Sequence, residues 1–139
     1  MERTFKGYTL SDDPARLVMD DVCTLLGKSY WGAERSRETI EVSIRNSLCF
    51  GAYKDGRQIA FARAVTDYAT TFWLCDVIVD EPHRGKGLGK AFIEFTLSAG
   101  ALQGLNGVLA TKDAHSLYEK FGFARHDGLF MGRKRAPGG

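Results

Sequence analysis

One stretch of the chain carries most of its chemical signal: Val77-Ile78-Val79-Asp80-Glu81-Pro82-His83-Arg84-Gly85-Lys86-Gly87-Leu88-Gly89-Lys90. It reads as an apolar strand, a glycine-rich turn and the first turn of a helix. The unpaired N–H groups of such a helix start, and its dipole, both favour an anion, most often a phosphate. Glycines remove the side chains that would hold a pyrophosphate away from the backbone. Spacing separates the phosphate motifs. A dinucleotide fingerprint needs G-x-G-x-x-G, and Lys90 stands where its last glycine should be. A P-loop fails twice, because Arg84 replaces its first glycine and Ala91 its Ser/Thr. What remains is Arg84-x-x-Gly87-x-Gly89.

Downstream stands Thr111-Lys112-Asp113-Ala114-His115-Ser116-Leu117-Tyr118-Glu119-Lys120-Phe121-Gly122-Phe123. It contains a phenol, Tyr118, which is protonated at neutral pH and can serve as a general acid. Asp76 is the one acid inside an otherwise apolar strand run. A buried carboxylate is costly unless it is paired or catalytic, so Asp76 is either a base or a structural anchor. No Ser, Cys or His has an evident triad partner, and Cys75 as an acyl-carrying nucleophile is the minor alternative. The three histidines and three cysteines lack metal-ligand spacing, so no metal is expected.

Arg84-x-x-Gly87-x-Gly89 followed by the Leu117-Tyr118 and Gly122-Phe123 segment resembles the two cofactor segments of the GNAT superfamily of acetyl-CoA-dependent N-acetyltransferases. The match covers about 76–123; before that only the order of elements agrees. The resemblance implies that main-chain groups of Val77, Ile78 and Val79 hold the pantetheine arm and polarise the thioester carbonyl. It implies that Arg84, Gly85, Lys86, Gly87, Leu88, Gly89 and Lys90 surround the pyrophosphate. His115 stands where many members have the asparagine that bonds pantetheine, and Tyr118 matches the tyrosine that protonates the departing thiolate. The base varies within the superfamily; Asp76 is the first candidate, ahead of Asp67, Glu81 and Glu34. The acceptor pocket falls on Tyr30, Trp31, Asp67, Tyr68 and Phe72, where an aromatic box with a carboxylate would suit a cationic amine.

The expected reaction is direct acetyl transfer from acetyl-CoA to a primary amine in a ternary complex, with a small molecule as acceptor. Protein N-terminal or lysine acetylation, or a non-catalytic CoA-binding sensor, are the alternatives. Dimers are common in the superfamily, so a homodimer is an allowed arrangement.

These residues need elements to position them. At 139 residues, 44% hydrophobic and 26% charged, the chain is sized and composed for one globular domain. Residues 1–139 are read as a single acetyltransferase domain, with 133–139 a frayed tail. A net charge of +2 is too small to indicate nucleic acid. No signal peptide or membrane span is read, and the odd, unpatterned cysteines suggest reduced thiols in a cytoplasmic protein.

Residues 4–10 read as a first strand. Asp13-Pro14 opens a helix with Leu17, Val18, Val22, Leu25 and Leu26 on one face, stopping at Gly27. Ser36 caps a second helix that ends near Asn46. Strands 48–53 and 58–66 flank Asp55-Gly56, a hairpin signal, and a third runs from Phe72 to Val79. A long helix spans roughly 87–103, a strand 107–112, and a short helix capped by Asp113 reaches Lys120. Residues 123–126 and 129–134 pair as a last hairpin. The predicted architecture is α/β: a mixed, mostly antiparallel central sheet, splayed at the acetyl-CoA site and flanked by about four helices.

Overall fold

A computed structural model describes residues 1–135. Its centre is a six-stranded sheet: β1 Glu2–Phe5, β2 Tyr8–Ser11, β3 Leu48–Lys54, β4 Arg57–Thr66, β5 Thr71–Val79 and β6 Asn106–Val108. The strands lie in sequence order. Every neighbouring pair is antiparallel except β5–β6, which is parallel. Among the described residues four α-helices accompany the sheet: α1 Met19–Gly27, α2 Arg37–Arg45, α3 Leu88–Leu97 and α4 His115–Glu119. This is the predicted mixed, mostly antiparallel architecture. Among the described residues no helix is long and apolar enough to cross a membrane.

The two sheet faces sort by alternation. Phe61 and Ile78 pack with Val22, Leu25 and Leu26 of α1 and Ile40 of α2. Ala60, Ala62, Phe72 and Leu74 pack with Leu88, Phe92 and Phe95 of α3. Phe50, Phe61, Phe92 and Phe95 are fully buried, each contributing roughly 1.5–3 kcal/mol of transfer free energy. The alternation breaks twice: Ile59 is the extra residue where β4 passes Ala52 and Tyr53, and a second break lies between β4 and β5. Phe61 faces Ile78 but Arg63 faces Cys75, so Asp76 and Val77 together oppose the single residue Ala62. This β-bulge puts Asp76 at φ 55 and re-aims its side chain.

Local signals hold at several ends. The Ser36 hydroxyl accepts the Thr39 N–H at the start of α2, and Asn46 closes it. Asp55 (φ 52) and Gly56 (φ 76) turn β3 into β4, as two left-handed residues do in a type I′ hairpin.

Other expectations are corrected. Residues 4–10 are not one strand but the β1–β2 hairpin, because Lys6 (φ 46) and Gly7 (φ 84) reverse the chain. Asp13 and Pro14 start only a 3-10 turn, Pro14–Arg16, and α1 begins later, at Met19. The 87–103 helix ends at Leu97. The Ser98 hydroxyl donates to the Phe95 carbonyl at 2.6 Å, Ala99 turns extended at ψ 129, and a 3-10 turn follows at Gly100–Leu102. Strand 107–112 shortens to β6 because pairing with β5 stops at Val108. Ala114, not Asp113, sits at the start of α4, and its N–H is held by the Thr111 hydroxyl at 3.0 Å. The last hairpin is absent among the described residues: the Asp127-Gly128 turn forms, but Phe130 stacks on Trp73 instead (centroids 5.7 Å apart). Of the tail, 133–135 is exposed and irregular, and 136–139 lies outside the described residues.

Two glycines are required by close approach. A Cβ on Gly51 would overlap the Tyr53 hydroxyl and the Gln58 amide. A Cβ on Gly107 would sit 2.4 Å from the Phe72 ring, which passes under β6. Gly107→Ala is therefore expected to cost about 1–3 kcal/mol by overpacking, read as a lower urea midpoint with an unchanged m-value.

Candidate active site

The glycine loop is tethered on three sides. Asp80 accepts the Glu81 N–H at the head of the 3-10 turn Glu81–His83 and takes an ion pair from Lys28 at 3.0 Å. The Lys28 hydrogen bond holds the Asp80 carboxyl below its ordinary range. Arg84 turns back, its Nε donating to the Val79 carbonyl at 2.8 Å. The β1–β2 hairpin closes the third side: Lys6 Nζ donates to the Lys86 carbonyl at 3.1 Å, and the Tyr8 hydroxyl shares a 2.7 Å hydrogen bond with His83 Nδ1. Lys6 and Tyr8 were not legible as site residues, because the contacts span 80 and 75 positions.

Within the tethers the backbone is open. Gly87 adopts φ 82 just before α3 and brings no side chain to cap it. The first N–H groups of α3 are thus left for a ligand. A Cβ at Gly85 or Gly89 would meet nothing within 4 Å. Packing does not demand those two glycines; the free space above them suits close approach of a phosphate. Lys86 and Lys90 are exposed beside it.

The sheet opens next to this loop. Among the described residues β5 pairs with β6 only over Thr71–Trp73, so there the β6-facing edge of Leu74–Val79 has no strand partner. The side chains of Val77 and Val79 pack on the α3-side core, and Ile78 is buried on the other face. Tyr118 of α4 joins the core that Val77 and Val79 pack against, 8% exposed and edge-on to Phe123 at 6.0 Å. Burial pushes its phenol up to about 12. Half-buried His115 lies one helical turn before it. Both border a cavity of about 800 Å³ on the far side of β6, among Leu109, Phe123 and Phe130, which does not extend to the glycine loop.

The β5 bulge carries a charged cluster. Asp76 is 4% exposed. Its Oδ2 accepts Arg35 Nη1 at 2.7 Å and Arg63 Nε at 2.9 Å, and its Oδ1 accepts the Trp31 indole N–H at 3.0 Å. Arg63 also donates to the Ser47 hydroxyl at 2.9 Å. The loop between α1 and α2 is thereby fastened to the centre of the sheet. Tyr30 packs edge-on to Trp31 at 4.9 Å, and Lys112 stands over its ring at 4.1 Å. Nearby, burial pushes Cys75 up to about 11 and Cys49 up to about 12, which leaves both as thiols at neutral pH.

The remaining predicted residues lie elsewhere. Asp67 and Tyr68 occupy the β4–β5 turn and Phe72 the start of β5, on the order of 13 Å or more along the strand from Asp76 at about 3.3 Å per residue. The Asp67 carboxylate is consumed by its own turn, accepting the Thr70 hydroxyl and the N–H groups of Ala69, Thr70 and Thr71. The Thr70 hydroxyl, more than the N–H groups, holds it well below the carboxylate range. Tyr68 is exposed and Phe72 buried under β6. Glu34 and Glu81 are exposed. The structure brings Tyr30, Trp31 and Asp76 together and leaves Asp67, Tyr68 and Phe72 apart from them. Among the described residues no cluster of His, Cys, Asp and Glu could hold a metal ion.

Residues 45–125 match the Acetyltransferase (GNAT) domain family. The fold superposes on a crystal structure from Xanthomonas campestris pv. campestris, assigned to the GNAT family of acetyltransferases, with a TM-score of 0.86, 36% identity and 97% of each chain covered. A Gibberella zeae protein assigned as an acetyltransferase is 26% identical over 117 residues, 70% of this chain and 65% of that one. A histone acetyltransferase of Glycine max is 44% identical over 52 residues, 37% of this chain and 22% of that one. The chain thus spans less than two thirds of the length of these two relatives.

Proposed function

Because this chain belongs to the GNAT acetyltransferase family, we propose that it transfers an acetyl group from acetyl-CoA to a primary amine, as one catalytic domain and by direct attack in a ternary complex. The observation that carries the reading is the open glycine backbone at the start of α3, beside a strand edge that has no partner among the described residues. Acetyl-CoA, when bound, supplies the activated acyl group. Gly85 to Gly89 offer N–H groups to its pyrophosphate, with Lys86 and Lys90 adding charge. Residues Val77, Ile78 and Val79 offer main-chain groups to the pantetheine arm, and His115 adds a further hydrogen bond. Tyr118 holds its proton at neutral pH and gives it to the departing sulfur.

Direct transfer fits the thiols of Cys49 and Cys75, which stay protonated near neutrality. Three free cysteines fit a reducing, cytoplasmic setting. Asp76 has two guanidiniums and an indole on its oxygens. That geometry favours the anchoring role over the basic one, and leaves proton removal from the amine to solvent.

Support for a small-molecule acceptor comes from the Tyr30–Trp31 pair, which the Asp76 hydrogen bond fixes beside β5. The test is release of free CoA thiol from acetyl-CoA over a panel of small amines and peptides. Thiol release with small amines is expected. Release with peptides alone would move the acceptor to protein, and acetyl-CoA binding with no release on any amine would leave a binding domain.

A further inference from the structure

An aromatic box with an acid would receive a cationic amine side chain, but here both halves of the box are already taken. Two arginines neutralise the Asp76 carboxylate. Lys112 occupies the Tyr30 face, with Nζ 4.1 Å from the ring centroid. The Trp31 N–H is spent on Asp76. Arg35, Arg63 and Lys112 against Asp76 give the cluster a surplus of positive charge. The exposed acids nearest in sequence, Glu34 and Asp113, form no ion pair among the described residues. Lys112 is exposed, and of the two arginines Arg35 is the more accessible: its side chain is 24% exposed, against 13% for Arg63. Only its Nη1 is engaged, so among the described residues the other edge of the guanidinium makes no hydrogen bond.

From this arrangement we propose that the acceptor amine carries an oxyanion, a carboxylate or phosphate, which Arg35 and Lys112 receive beside Trp31. The inference rests on the acetyltransferase reading and names the substrate class of that site. A guanidinium with a free edge is shaped for two-point contact with an oxyanion. Asp76 holds that guanidinium in place, while the Lys112–Tyr30 contact brings the β6–α4 segment against the same loop. A partly buried cation loses less to solvent screening than an exposed one, so an oxyanion there outweighs a neutral group of the same size.

The test is calorimetric and does not depend on turnover. With CoA present, matched N-acetylated products are titrated: N-acetyl-β-alanine against its amide, and phosphorylated N-acetylethanolamine against N-acetylethanolamine. The charged member of at least one pair is expected to bind tenfold or more tighter, and the pair with the larger ratio identifies the oxyanion. Arg35→Gln is expected to bring that ratio below threefold with CoA affinity unchanged. Lys112→Ala, at an exposed position outside the Asp76 ion pairs, reduces the ratio about threefold and serves if Arg35→Gln does not fold. Equal binding within both pairs, no binding of either charged member at millimolar concentration, or a ratio unmoved by the variants overturns the proposal. Thiol release without charge discrimination would sink this inference alone. Discrimination without thiol release would sink the acetyltransferase reading alone.

Discussion

Replacing Tyr118 by phenylalanine lowers kcat by about 10²–10⁴-fold, the usual contribution of a positioned acid, while acetyl-CoA binds as before. The substitution keeps the packed ring, which is 8% exposed and set edge-on against Phe123, and removes only the hydroxyl. Burial has pushed that hydroxyl up to about 12. The folded protein therefore keeps the proton beyond the pH at which an unfolded tyrosine, near 10, releases it. The sign is that of a raised pKa: the stabilisation is fully present below pH 10 and is lost as pH rises through about 12. Tyr118 accordingly sets no alkaline limb of kcat between pH 7 and 10. Steady-state kinetics with a separately measured acetyl-CoA Kd check both statements. A kcat within a factor of two of wild type would remove Tyr118 from the chemistry.

Asp76→Ala is expected to cost about 3–5 kcal/mol of folding stability, the penalty for leaving buried opposite charges without a partner. Arg35 and Arg63 lose a shared anion, and Trp31 loses its acceptor. Alanine at φ 55 adds backbone strain. Asn tolerates this conformation and keeps one acceptor oxygen, so Asp76→Asn isolates the charge and is expected to fall between wild type and alanine. Thermal unfolding reads the stability: at a few degrees per kcal/mol, the alanine variant melts roughly 10 °C or more lower. The pH profile separates anchor from base. With Asp76 as an anchor, the acid limb of kcat/KM persists in Asp76→Asn. Loss of that limb at unchanged stability would make Asp76 the base.

What was legible in the sequence was local. The spacing of Gly85, Gly87 and Gly89 is a property of five consecutive residues, and Ser36 caps α2 through a neighbour three positions on. The Asp55-Gly56 turn is equally short-range. The partners of Asp76 lie 41, 45 and 13 positions away, so the sequence showed a costly acid without showing what satisfied it. The fastening of the glycine loop by Lys6 and Tyr8 escaped for the same reason. Residues 4–10 misled because a single glycine, Gly7, marks a turn whose first residue is a lysine at positive φ, where glycine or asparagine is the usual signal. The C-terminal pairing failed differently. Asp127-Gly128 does turn the chain, but a turn fixes no strand, and Phe130 stacks on Trp73 instead.

The central claim is that acetyl-CoA lies on the bare backbone of the glycine loop, and a calorimetric titration of acetyl-CoA into wild type and Gly89→Glu addresses it most directly. Gly89 is suited to this because it lies in the first turn of α3 without a positive φ, and its Cβ would meet nothing within 4 Å. A side chain there strains nothing and fills only the space assigned to the pyrophosphate, while its carboxylate repels phosphate. The expected result is one-to-one binding by wild type and an affinity at least tenfold weaker in Gly89→Glu, with a melting temperature no lower than wild type. Equal affinities, or no binding of acetyl-CoA to the wild-type protein, would contradict the assignment of this loop.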